Sequence, residues 1–137
     1  MSYGISAALQ AAVFQTLSND PGVTALVGAA IYDALPGGTL PALYIVLGTE
    51  EVRDASDKTG RGALHDFTVS VVTEAAGFSS AKLVAAAVSD TLVDARLVLT
   101  RGTLVSLNFT KAKAARVGIG DVRQINLMFR ARVADDV

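Results

Sequence analysis

His65 is the single histidine of the chain and the residue best suited to acid–base chemistry, and it is followed directly by the carboxylate of Asp66. Histidine titrates near neutral pH, but it acts as a general base only where other functional groups converge on it. Successive residues of a strand point to opposite faces of the sheet, so Asp66 is not expected to orient His65. The simpler interpretation is that His65 is a half-exposed strand residue. A small hydrolase that uses His65 remains a remote alternative, although the chain contains no Gly-x-Ser-x-Gly turn.

Two glycine-rich segments and one basic segment are the other candidates for ligand binding. Gly60-Arg61-Gly62 and Gly118-Ile119-Gly120 each precede a predicted strand, whereas phosphate-cradling loops lead into a helix, so both are interpreted as turns. Lys111 and Lys113 alternate on one strand face and can reach a phosphate, but a solvated strand end is the simpler interpretation without further basic residues nearby. The absence of cysteine excludes disulfides and thiolate metal sites. The sequence therefore predicts no catalytic, cofactor or metal site.

The stretch Leu64–Asp94 predicts a strand followed by a helix, and the rest of the chain is organised around this pair. Apolar and polar residues alternate over Asp66–Thr73, which is the period of a half-buried strand, and Phe67, Val69 and Val71 form its apolar face. Because this face and an apolar stripe of the next helix can bury each other, we expect the pair to form the centre of the core.

The helix that follows this strand is expected to begin at Ser79, whose side chain is placed to act as N-cap. Phe78 and Leu83 lie at the spacing of a hydrophobic staple. The residues that share one apolar stripe along the helix are Leu83, Val84, Ala87, Val88 and Leu92.

The pattern of the whole chain predicts an α+β fold as a single domain over residues 1–137, with two main helices packed on a mostly antiparallel sheet. The expected order is helix, short helix, three strands, helix, three strands. These further elements are a helix over Met1–Asn19, a short helix over Pro21–Val27, and strands over Ile31–Ala34, Leu43–Val52, Leu97–Leu99, Leu104–Ala115 and Val122–Val133. The residues expected to be buried together are Phe67, Val69, Val71, Leu83, Val88, Leu107, Phe109, Leu127 and Phe129.

The composition favours an oligomeric subunit over a nucleic-acid-binding or membrane protein. Hydrophobic residues make up 51% of the 137 residues and charged residues 18%, which is apolar for a soluble monomer of this size. A net charge of −1 gives no basic footprint, and no apolar run approaches the roughly 20 residues of a membrane span. Because the N-terminus lacks the layout of a signal peptide, we expect the chain to be made in the cytoplasm.

Four segments occur in an order and at a spacing that point to a known family. They are Ala7–Phe14 followed by Asp20-Pro21, then Val27–Asp33, then Pro41–Gly48, and finally Thr59–Gly62 leading into His65–Val71. In these segments the chain resembles the tail terminator (tail completion) proteins of long-tailed phages and of phage-like gene transfer agents. The alanine-rich helices are most similar to those of the gene transfer agent members.

The resemblance implies a structural protein rather than an enzyme. It implies a ring, typically of six subunits, that caps the tail tube, ends its polymerisation and joins the tail to the head. The implied partners are other copies of the chain, the tail tube protein and the head-connector (stopper or adaptor) proteins. DNA would pass through the ring without sequence-specific binding, and no membrane would be involved. Another tail or head-connector subunit, such as a tube or stopper protein, is the alternative, and a tube protein would stack into open-ended tubes where a terminator stops at one ring.

The polar segment Arg53–Ala63 is the candidate contact within such an assembly. It is a link of about ten residues between two strands, longer than the usual hairpin loop. Isolated surface ion pairs contribute only about 0–1 kcal/mol, so charges of both signs there do little for one subunit. We therefore predict that the segment reaches a neighbouring subunit or an adjoining ring. The residues predicted to make this contact are Arg53, Asp54, Asp57, Lys58 and Arg61.

Overall fold

The computed structural model of the protein describes residues 3–57, 60–118 and 122–135. These residues form three helices and a five-stranded sheet. The elements in chain order are α1 (Ser6–Asn19), α2 (Pro21–Val27), β1 (Ile31–Tyr32), β2 (Leu43–Asp54), β3 (Gly62–Thr73), α3 (Ser79–Leu92), β4 (Thr103–Arg116) and β5 (Arg123–Ala134). The strand order is β1-β2-β3-β5-β4, in which β1 and β2 are parallel and the other pairs antiparallel. The predicted α+β class and mostly antiparallel sheet are confirmed.

Strand β3 lies at the centre of the sheet, between β2 and β5. Phe67 is opposite Phe129 in the register with β5, and the two rings stack with their centroids 5.7 Å apart. Val69 and Val71 follow on the same face and are fully buried, as the alternation predicts. The face of the sheet that carries these residues is the one on which the helices pack, and we call it the inner face.

The helices cover the inner face with apolar stripes of helical period. Leu9, Val13 and Leu17 of α1 are buried, and α2 begins at Pro21 as predicted. The carboxylate of Asp20 caps α2 by accepting a hydrogen bond of 3.0 Å from the backbone N–H of Val23. No helix of the described residues is long and apolar enough to cross a membrane.

The start of α3 differs from the prediction. Ser79 is the first helical residue rather than the N-cap, and Phe78 occupies the cap position without a side-chain hydrogen bond. Leu83 is 61% exposed, so its predicted burial and its staple with Phe78 are wrong. The buried stripe of α3 instead includes Ala81 and Ala85, whose small side chains let the helix approach the sheet closely.

The region after α3 also departs from the predicted strands. Leu97–Leu99 does not pair into the sheet, so this part of the chain contributes β4 and β5 alone within the described residues. Irregularities at Leu104/Ser106 and Phe109/Lys111 interrupt the alternation of β4 against β5. Leu107 is buried as predicted, but Val105 is 59% exposed and Phe109 is 44% exposed. Phe109 still contacts Phe129 edge to face, yet it lies on an edge strand that the helices leave partly open.

We predict that Phe129→Ala lowers the free energy of unfolding by about 3–5 kcal/mol, because a fully buried ring that contacts two other rings leaves a cavity. Urea denaturation followed by circular dichroism measures this. Phe109→Ala is the matched control, since it removes the same ring from a half-exposed position and is expected to cost less than half as much. Equal losses for the two variants would contradict the assignment of Phe129 to the core.

Candidate interaction surfaces

The predicted charged link between β2 and β3 is shorter than expected. Asp54 pairs with Ala63 in the sheet register, so Arg53 and Asp54 end β2, and the connection itself runs over residues 55–61. Arg53 and Asp54 were interpreted as loop because their side chains are charged, but both are exposed at the end of β2, where a strand tolerates charge. Lys58 lies outside the described residues.

Both aspartates of this hairpin accept hydrogen bonds from its backbone N–H groups. Asp54 Oδ1 accepts hydrogen bonds from the backbone N–H of Ser56 at 3.1 Å and from its hydroxyl at 2.7 Å. The Ser56 hydroxyl bond is the main cause that lowers the pKa of Asp54 below its ordinary value. Asp57 Oδ1 accepts from the backbone N–H of Gly60 at 2.8 Å. Asp57 and Arg61 are both exposed at the tip of the hairpin and are therefore accessible to a partner.

Arg53 faces the sheet surface rather than the hairpin tip. Its guanidinium lies 3.6 Å from Asp66, which also accepts two hydrogen bonds from Arg130, from Nε at 2.7 Å and from Nη2 at 3.3 Å. The Arg130 hydrogen bond is the largest of the effects that lower the pKa of Asp66. Asp66 thus joins three strands on the face opposite the helices, which we call the outer face.

His65 is fully buried on the inner face, so the prediction of a half-exposed residue is wrong. It shares this face with Phe67, two residues further along β3, and points away from Asp66 as expected. His65 Nδ1 lies 3.5 Å from Oε2 of Glu50. Glu50 Oε1 accepts hydrogen bonds from the hydroxyls of Tyr3 and Ser6.

The arrangement around Glu50 is a structural hydrogen-bond network rather than a catalytic triad. A nucleophilic serine must donate to the histidine, whereas the hydroxyl of Ser6 donates to Glu50. The other ring nitrogen of His65, Nε2, is buried, and none of the described residues forms a hydrogen bond with it. The group therefore ties the first turn of α1 and the segment before it to β2 and β3. Over the parts of the chain that the structure describes, no three potential metal ligands come together.

The outer face carries a basic surface that was not predicted from the sequence. Lys111 is opposite Met128 in the β4–β5 register and Lys113 is opposite Asn126, which places both lysines on the same face as Arg130 and Arg132. All four cationic side chains are exposed. The alternation of arginines in β5 was visible in the sequence, but the pairing of β5 with β4 was needed to bring the two sets together.

A groove of about 770 Å³ runs across this outer face between β2 and β4. Its lining includes Ser70 and Asn126 on the floor and Lys111 and Lys113 on the β4 side. The hydroxyl of Ser70 donates to Oδ1 of Asn126 at 2.7 Å, and Gln124 Nε2 donates to the same oxygen at 2.7 Å. The groove therefore has polar groups on its floor and lysines along one side, and Val46 and Met128 add apolar surface to it.

Comparison with known proteins identifies a matching family model and similar solved structures. The model of the family described as "Tail completion protein gp17" matches residues 11–134. A solved chain in the structure described as "Virion of native gene transfer agent (GTA) particle" is 60% identical and superposes with a TM-score of 0.93, covering 97% of this chain and 99% of that chain. The search of curated proteins returned no significant match.

We predict that Glu50→Gln lowers the free energy of unfolding at pH 7 by about 1–2 kcal/mol, because it removes the charged acceptor of three donors. Burial alone raises the pKa of Glu50, but the hydrogen bonds from Ser6, Tyr3 and His65 outweigh it and hold this pKa below its ordinary value. The stabilisation is therefore fully present above the unfolded pKa of about 4.3 and is lost as the pH falls through the folded value.

Urea denaturation between pH 7 and pH 3 measures this difference. Glu51→Gln is the control, since Glu51 is exposed and pairs in register with Asp66 on the outer face. A stability gap between wild type and Glu50→Gln that does not narrow on acidification would contradict the role given to Glu50.

Proposed function

The chain belongs to the tail completion protein gp17 family, and from this membership we propose that it forms a ring, typically of six single-domain subunits, that caps the tail tube of a phage-like particle. As a member of this family it is a structural tail protein and not an enzyme. The observation that carries the proposal is the near-complete correspondence, at 60% identity, with a chain of a gene transfer agent virion. Its location is accordingly the tail of such a particle, at the junction with the head.

The free edges of the sheet support assembly into a closed ring. Strand β4 forms one edge, and β1 pairs only with Ile45 and Val46 of β2, which leaves the rest of the other edge uncovered within the described residues. Uncovered edges invite uncontrolled pairing with other chains. A ring of identical subunits covers the same surface at every boundary and closes without remaining edges.

In this proposal the two sides of the ring have different partners. One side meets the last ring of the tail tube protein and ends its polymerisation. The other side meets the head-connector proteins, so that the completed tail joins a filled head. DNA passes through the ring between them without sequence-specific binding.

The tip of the β2–β3 hairpin is proposed as a contact with a neighbouring subunit or an adjoining ring. Of the residues predicted for it, Asp57 and Arg61 lie in the connection between the strands, whereas Arg53 and Asp54 belong to β2 itself. The proposal is thereby centred on Asp57 and Arg61. A single such contact is weak, but its repetition at every boundary of a closed ring adds up.

We expect that reversing both tip charges, in Asp57→Lys with Arg61→Glu, leaves the melting temperature within a few degrees of wild type and abolishes particle assembly. A second variant, Asp57→Asn with Arg61→Gln, removes the charges but retains an acceptor for the Gly60 N–H. The control reverses Asp90 and Arg96, an exposed pair of the same signs near the end of α3. Normal assembly in both tip variants would reduce the hairpin to ordinary solvated surface.

Loss of the protein is expected to leave heads and tails unjoined, or tails of uncontrolled length. Electron microscopy of particles from a deletion strain, with and without a complementing copy, measures this directly. A deletion strain that still produces joined particles able to transfer DNA would refute the proposed function.

A further inference from the structure

We propose that the outer face of the sheet binds the phosphate backbone of duplex DNA, with Lys111, Lys113 and Arg132 as the phosphate-binding residues. This inference rests on the proposed function, because a ring at the head–tail junction encloses the path of the DNA. It deepens that function by assigning the surface of the subunit that meets the duplex.

The register of the sheet places the cations in a regular array. Lys111 and Lys113 are two positions apart on β4, so their Cα atoms are roughly 7 Å apart along the strand. Arg130 and Arg132 alternate in the same way on the adjacent strand β5, where they are opposite Asn108 and Ser106 and so extend the row of cations along the sheet. Duplex DNA offers one phosphate per about 3.4 Å of axis on each strand, so neighbouring cations of this array can meet separate phosphates.

The cations on the outer face of the strands outnumber its carboxylates: Arg53, Lys111, Lys113, Arg130 and Arg132 lie with Glu51 and Asp66. Asp66 pairs with Arg53 and Arg130, whereas Lys111 and Lys113 form no ion pair within the described residues. Arg132 donates a long hydrogen bond of 3.4 Å to the carbonyl of Ala55. Because the net charge of the chain is −1, this excess of cations is a local feature of the outer face and not a property of the whole surface.

The chemistry of the face fits DNA better than it fits a protein partner. The centres of protein–protein interfaces are depleted in lysine, since its strongly hydrated ammonium is costly to desolvate. Protein–DNA interfaces are positively charged, polar and wet. The floor of the groove carries the hydroxyl of Ser70 and the amides of Gln124 and Asn126, which suit a hydrated phosphate surface. Within the described residues, the strands of this face present no helix to enter a groove of the duplex, which agrees with binding that ignores base sequence.

Binding of a fluorescent duplex of about 20 base pairs to the full-length purified protein tests the inference by anisotropy, at salt concentrations from about 50 to 200 mM. The test variant is Lys111→Gln with Lys113→Gln. The matched control is Lys82→Gln with Arg96→Gln, which removes the same charge from exposed positions on the helix side. Melting temperatures establish that both variants are folded.

We expect the test variant to bind the duplex roughly tenfold more weakly at low salt, and the slope of log K against log salt to fall by about two. The control is expected to bind within about twofold of wild type. The inference is overturned if both variants lose affinity equally, if the test variant binds like wild type, or if the wild-type protein shows no duplex binding.

Particle assembly with the same variants separates the two sources of failure. We expect the test variant to complete particles normally. Normal duplex binding combined with lost assembly would instead identify the outer face as a protein interface and overturn the DNA assignment. Failure of the proposed function would appear independently, as joined particles formed without the protein.

Discussion

The register of β3 between β2 and β5 is the constraint on which the rest of the structure depends. It places Phe67 against Phe129 and aligns the apolar residues of three strands on one face. Because side chains alternate along a strand, a slip of β3 by one residue would carry Asp66 into the core and expose Phe67. The stacked rings and the Asp66–Arg130 ion pair on the opposite face therefore favour the same register.

This register divides the molecule into two surfaces with different tasks. The inner face is covered by the helices, and the pair formed by the buried His65 and the partly buried Glu50 links the beginning of α1 to it. The outer face remains polar and basic, and both edges of the sheet remain largely open. The inner face thus supplies the stability of the subunit, whereas the open edges serve the proposed assembly and the outer face remains accessible to DNA.

The parts of the fold that follow strict local rules could be predicted from the sequence. The alternation of Phe67, Val69 and Val71 identified the inner face of β3, and Asp20-Pro21 marked the start of α2. Phe109 keeps the predicted face opposite Phe129 but is half-exposed because β4 is an edge strand, whereas Val105 is exposed where an irregularity interrupts β4, which no sequence signal marks. The burial of His65 could have been predicted from the sequence, since it lies two residues before Phe67 on the same strand.

The candidate surfaces were harder to predict from the sequence than the fold, because they depend on which strands pair with each other. The hairpin charges were found from composition, but the distinction between the engaged Arg53 and the exposed Arg61 required the register of β2 against β3. Lys111 and Lys113 were interpreted as a solvated strand end because their basic neighbours on β5 are distant in sequence. Long-range pairing, rather than local propensity, decides which charges meet.

The proposal that the chain ends tube growth is tested most directly by polymerising the purified tail tube protein with and without it and imaging the products by electron microscopy. The account predicts that added protein appears as one ring at a single end of each tube and that the capped tubes stop lengthening. Incorporation of the protein along the length of the tubes, or growth of open-ended tubes from the protein alone, would contradict it and would identify the chain as a tube subunit.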